Sequence, residues 1–140
     1  MLDLVRELSR DTGTAVLFFR YNLGVLRNMC DRVGVLYAGP LVETGATAYL
    51  FHKPGHPYTA GLLGCIPRGG LHKSADRLET ISGTPPVFGT HYNGCVFAAR
   101  CALADDNYRT QLPQMEPISG AHVAKCFQSD KASSMPRSIE

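Results

Sequence analysis

The chain has 140 residues, the size of one ordinary domain, and its 14 Lys and Arg against 12 Asp and Glu leave a formal charge of +2 without a basic cluster, which argues against a nucleic-acid surface. Apolar residues make up 44%, enough for a core, yet most of the long Val, Leu, Ile and Phe runs fall within the first 66 residues, and the rest is rich in Gly, Pro, Ser, Thr and His. No stretch approaches the ~18 consecutive apolar residues of a membrane span, and Asp3 and Glu7 stand where a secretory leader would be basic, so a cytoplasmic location is expected, peripheral to a membrane only through partners.

Leu2, Leu4, Val5 and Leu8 recur at helical spacing between Arg6, Glu7 and Arg10, so the pattern predicts an amphipathic helix over residues 2–11. Gly13 is placed to cap it in the left-handed conformation. Thr14 to Phe19 then reads as a buried strand that stops at Arg20-Tyr21-Asn22. In open α/β sheets, ligands gather at the carboxyl ends of strands, which makes Tyr21 the first residue to question about chemistry. Leu23, Val25, Leu26 and Met29 predict a short helix with Asn22 as its N-cap. Val33 to Tyr37, the turn Ala38-Gly39-Pro40 and Leu41 to Gly45 read as a β-hairpin at a sheet edge.

Ala46 to Phe51 is expected to be a short helix, followed by the rigid connector Lys53-Pro54-Gly55-His56-Pro57. Pro57 fits the first turn of a helix from Tyr58 to about Cys65, and His56 is expected to fix the preceding loop through a side-chain hydrogen bond. Residues 67–77 read as a polar linker, and Ile81-Ser82-Gly83-Thr84-Pro85-Pro86 as an extended segment. From Gly89 on, turns and crosslinks are expected to supply local structure, with residues 129–140 a disordered tail.

The order Leu23-Gly24-Val25, Asp31-Arg32-Val33, Tyr37-Ala38-Gly39, Val42-Glu43-x-Gly45, His56-Pro57-Tyr58-Thr59-x-Gly61-Leu62-Leu63, Ile66-Pro67, Ile81-x-Gly83-x-Pro85-Pro86 and Gly94-Cys95-x-Phe97-x-x-Arg100-Cys101 resembles the carboxyl-terminal part of the ATP-binding subunits of oligopeptide and dipeptide ABC importers. The resemblance covers roughly residues 1–128. It implies an α/β fold, a truncated carboxyl-terminal part of an ABC ATPase cassette (1–66), followed by a loop-rich, cysteine-containing extension of the peptide-importer type (67–128). It also implies peptide uptake coupled to ATP and magnesium, with membrane permease subunits and a second ATP-binding subunit as partners.

A cassette cradles phosphates with a loop of the form G-x-x-x-x-G-K-S/T, and these 140 residues contain none. The signature segment and the acidic strand end that holds magnesium would also lie upstream of Met1, so the chain is expected neither to bind nor to hydrolyse ATP alone. By the same resemblance the family's switch histidine falls at Tyr21 and the following aspartate at Asn22. Phenols, with pKa values near 10, carry protons poorly at neutral pH compared with imidazole, so hydrolysis would be slow even in a complete site. Tyr21 also has a plain reading, as a half-buried aromatic at a strand end.

Five cysteines without a secretory leader read as thiols or metal ligands rather than a disulfide framework. Cys30 and Cys65 lie in apolar helical patterns and are expected to be small buried hydrophobes. In the resembled family the tail carries four cysteines that look like iron–sulfur ligands. Cys95, Cys101 and Cys126 match three of them, and Tyr108 takes the remaining position. Three readings stand: a tyrosinate ligates iron, His122 completes a Cys3His set suited to zinc, or the site is lost and three free thiols remain in a loose loop. Arg100, Arg109, Tyr58, Phe97 and Phe127 offer the contacts by which the tail would pack back onto the cassette.

The function expected is therefore that of a fragment or diverged remnant of a peptide-importer ATP-binding subunit. Alternatives are a non-enzymatic metal-binding or adaptor module docking on a transporter, and one part of a split ATPase. Without neighbours the strand at 14–19 would leave an unpaired sheet edge, open to self-association.

Overall fold

A computed structural model of the chain describes residues 2–66, 80–87, 89 and 92–135. Leu2–Thr12 forms helix α1, and Gly13 follows it at φ +65° as a left-handed cap. The apolar stripe of α1 stays outside the core, with Leu4 and Leu8 exposed, and Arg6 Nη2 ties the helix to the body by donating to the Asn28 carbonyl.

No strand forms over Thr14–Phe19, contrary to the expectation from composition. Leu17 and Phe19 are 80% and 75% exposed, while Phe18 packs against the core. Strands are held by backbone hydrogen bonds to a neighbour, and no strand among the described residues pairs with this run. Asn22 then caps helix α2 (Leu23–Met29), its Oδ1 accepting from the Val25 N–H at 3.2 Å.

Strands β1 (Arg32–Leu36) and β2 (Leu41–Ala46) form the expected antiparallel hairpin, with Val33 opposite Gly45 and Val35 opposite Glu43. The turn places Ala38 and Gly39 at positive φ and closes with Tyr37 N–H donating to the Pro40 carbonyl at 3.0 Å. Helices α3 (Thr47–His52) and α4 (Pro57–Gly64) follow. The entry to α4 is as expected: Pro57 lies in its first turn, and His56 Nδ1 accepts from the Tyr58 N–H at 3.1 Å.

The tail adds strands β3 (Glu116–Ser119) and β4 (His122–Ala124) and helix α5 (Ser129–Ala132). The sheet order is β1-β2-β4-β3, antiparallel throughout. Only β1 of the hairpin is therefore an edge, because β2 is covered by β4 from the tail. The other edge is β3, where Pro117 is tolerated. Turns alone do not organise the tail, and β4 is too short, at three residues, to display a period-two pattern. Ser129–Ala132, expected to be disordered, is helical with Ala132 buried, its N–H bonded to the Gln128 carbonyl. The linker expected at 67–77 and the last five positions lie outside the described residues.

Helices and an antiparallel sheet thus share one core, in which Val33, Val35 and Val42 of the hairpin meet Leu50, Leu63 and Phe97. Fully buried side chains such as Leu50 and Leu63 each contribute roughly 1.5–3 kcal/mol by leaving water. Cys30 and Cys65 are half-buried at helix C-caps rather than deep in the core. Among the described residues no helix is long and apolar enough to cross a membrane.

Candidate functional site

The best-organised polar centre is Glu43, which has no exposed surface on β2. A buried carboxylate is tolerated only when its oxygens are bonded. Oε1 accepts from the Gly55 N–H at 2.7 Å and lies 2.7 Å from His122 Nε2; Oε2 accepts from the His56 N–H at 3.0 Å. A carboxylate only accepts, so the His122 ring donates. One side chain thereby joins β2, the connector before α4, and β4. Gly45 leaves room for this arrangement, since a Cβ there would meet the His122 ring.

His122, one of the candidates for completing a zinc site, here turns its ring toward Glu43. Its Nε2 is engaged by Glu43, and His122 does not line the cleft where the thiols lie. Sequence reasoning assigned Glu43 no role. The available signal was an acid inside a short, mostly apolar strand, two positions before a glycine.

His56 is buried beside this centre, and burial pushes its imidazole down to about 4. A histidine whose folded pKa is depressed stays neutral in the fold, so its contribution is intact above the unfolded value near 6.5 and is lost as pH falls from there toward 4. The expected loss over that window is about 3 kcal/mol. Urea unfolding midpoints measured across it should fall for the parent chain and fall less for His56→Asn, which keeps a capping oxygen. Equal pH profiles would contradict the assignment.

Aromatic rings extend the centre. Tyr37 stands 4.6 Å from Tyr58 and 5.1 Å from Phe97 by ring centroids, with His56 5.6 Å from Phe97. Arg100 encloses the cluster: Nε donates to the Ser82 carbonyl at 2.9 Å, Nη2 to Ile81 at 2.8 Å and Nη1 to the Tyr37 hydroxyl at 3.3 Å. The tail thus packs back through Arg100 and Phe97 as anticipated, whereas Arg109 forms only a loose exposed pair with Asp106 at 3.9 Å.

Cys95, Cys101 and Cys126 are brought together in one cleft with Tyr108, Phe127 and Gln128. Burial pushes all three thiols up, Cys126 to about 11, against the opposing effect of backbone N–H groups such as that of Gln128. The Tyr108 hydroxyl is bonded by Gln128 Nε2, and its ring stacks on Phe127 at 4.9 Å. The cleft has room for about one water. Among the described residues no group of three or more His, Cys, Asp or Glu is disposed to hold a metal. Iron–sulfur clusters need four soft, deprotonated donors. Three thiols, with a phenol already engaged by Gln128 at the remaining position, leave the set one soft donor short and do not fit that group.

Tyr21 and Asn22 do not line this cleft. Tyr21 is fully exposed rather than half-buried, since the strand expected to carry it does not form, and Asn22 serves as the α2 cap.

Comparison with known proteins places these features. Residues 42–107 match the family defined by the C-terminal region of oligopeptide/dipeptide transporters. The chain is 38% identical over 135 residues to the dipeptide transport ATP-binding protein DppD of Bacillus subtilis, covering 94% of this chain and 38% of that protein. It is 39% identical over 128 residues to the oligopeptide transport ATP-binding protein OppD of the same organism, covering 91% and 35%. The chain therefore spans about two fifths of the length of the curated relatives it matches. Nearly all of β2, all of α4 and the loop bearing Cys95 and Cys101 fall within the matched residues, so this part of the chain is similar to the C-terminal region of oligopeptide/dipeptide transporters.

Proposed function

We propose that the chain acts as the carboxyl-terminal part of the ATP-binding subunit of a peptide ABC importer, supplying the scaffold that closes one end of the cassette. The supporting observation is the tail strand β4 laid against β2 and locked there by Glu43. In this reading ATP and magnesium are held by residues outside these 140, permease subunits and a second ATP-binding subunit are the partners, and the assembly works at the cytoplasmic face of a membrane. By itself the chain neither binds nor hydrolyses ATP, having no phosphate-binding loop.

Calorimetric titration of the chain with Mg-ATP tests this, with no saturable binding expected; binding or turnover by the chain alone would sink the reading. A complete subunit carrying these residues in place of its own should turn over slowly with Tyr21 at the switch position. There, Tyr21→His should raise turnover by roughly 10²-fold, the usual worth of a placed acid or base. An unchanged rate would remove Tyr21 from that role.

Exposed Leu17 and Phe19 favour a second reading, in which a separate chain supplies the rest of a split ATPase and pairs with residues 14–19. ATPase activity restored on mixing supports it. A concentration-dependent mass of the chain alone would instead indicate self-association through the same segment.

A further inference from the structure

We propose that Tyr108, Phe127 and Gln128 form a metal-free clasp that holds together the segments a four-thiolate site would otherwise cross-link. The inference concerns the tail alone and stands whether or not the chain works in a transporter. Three segments converge on the cleft, carrying Cys95 and Cys101, Tyr108, and Cys126.

The backbone of the first two is already closed, because Cys95 N–H donates to the Tyr108 carbonyl at 2.8 Å. Gly94 permits this crossing, since a Cβ there would meet the main chain of Tyr108 and Arg109. The third segment is joined by side chains. The Tyr108 ring stacks on Phe127 with 24° between planes, and Gln128 Nε2 reaches the Tyr108 hydroxyl. Gln128 also donates its N–H to Cys126 Sγ at 3.3 Å, so the residue that engages the phenol turns the neighbouring thiol as well.

Gln128 Oε1 has no protein partner. A half-turn of the amide hands it the Tyr108 hydroxyl proton, so either orientation occupies the phenol oxygen. Metal binding in small loop-rich regions is folding free energy, and a tail without metal needs another connection across the same gap. Stacking and a side-chain hydrogen bond at the ligand position provide it.

The test uses the full chain purified without oxygen, with iron and zinc measured per chain and unfolding followed with and without chelator. The wild-type chain is expected to carry substoichiometric metal and to keep its unfolding midpoint in chelator. Tyr108→Cys restores four thiols, and on incubation with zinc, or with ferrous iron and sulfide, is expected to take up metal stoichiometrically and become chelator-sensitive. Stoichiometric metal in the wild-type chain, or a folded Tyr108→Cys chain that takes up none, overturns the proposal. Should Tyr108→Cys fail to fold, Gln128→Ala decides. Loss of the clasp should speed iodoacetamide labelling of the three thiols by about tenfold, because labelling follows local opening. An unchanged rate overturns the proposal.

Discussion

Replacing Glu43 with alanine is expected to lower unfolding stability by about 3–5 kcal/mol, because several buried donors lose their acceptor at once and each unsatisfied group costs about 1–3 kcal/mol. Three donors lose their acceptor together: the N–H groups of Gly55 and His56 and the His122 ring. Domains of this size are stable by only roughly 5–15 kcal/mol, so the substitution should consume a large part of the total. Glu43→Gln should cost less, because its carbonyl oxygen still accepts, although its NH2 group faces a donor. Urea unfolding with an unchanged slope gives the comparison directly. A loss below about 1 kcal/mol for Glu43→Ala would mean that the joint between β2 and β4 is not where the stability lies.

The second large effect concerns Gly94. Its Cβ would collide with the Tyr108 carbonyl oxygen and the Arg109 main chain, which cannot move aside as a side chain can. Gly94→Ala should therefore cost about 3 kcal/mol or more and part the Cys95 N–H from the Tyr108 carbonyl. Gly55→Ala is the control. Its Cβ would meet chiefly the Ile118 side chain, whose terminal Cδ1 can rotate away, so about 1–2 kcal/mol is expected. Thermal and urea unfolding of the two variants should rank them in that order. Equal losses would contradict the distinction between backbone and side-chain contact.

The features readable in sequence were those decided by neighbours. The Gly13 cap, the Asn22 cap, the turn at Ala38-Gly39-Pro40 and the His56-Pro57 entry to α4 each depend on atoms a few positions apart. Thr14–Phe19 shows where this stops: its composition suits a strand, but the hydrogen bonds that make a strand belong to another segment. Glu43 escaped for a similar reason, because its partner His122 lies 79 positions away. His122 looked like a companion of Cys126 through closeness in sequence, while the pairing of β4 with β2 sends its ring to Glu43. Cys95, Cys101 and Cys126, grouped by their shared region and by the resemblance, line one cleft, yet the stacking of Tyr108 on Phe127 leaves no mark in the sequence.

The placement of β2 between β1 and β4 also sets an order of events in folding. β1 and β2 meet across a short turn, whereas β4 reaches β2 only after a loop whose closure entropy grows with the logarithm of its length. On this order the Glu43 carboxylate is expected to meet the nearby Gly55 and His56 N–H groups first and to complete its burial in the step that delivers His122. Contacts made that late weigh on escape from the native state more than on arrival, so losing them shortens the lifetime of the folded chain while leaving the early hairpin as fast as before.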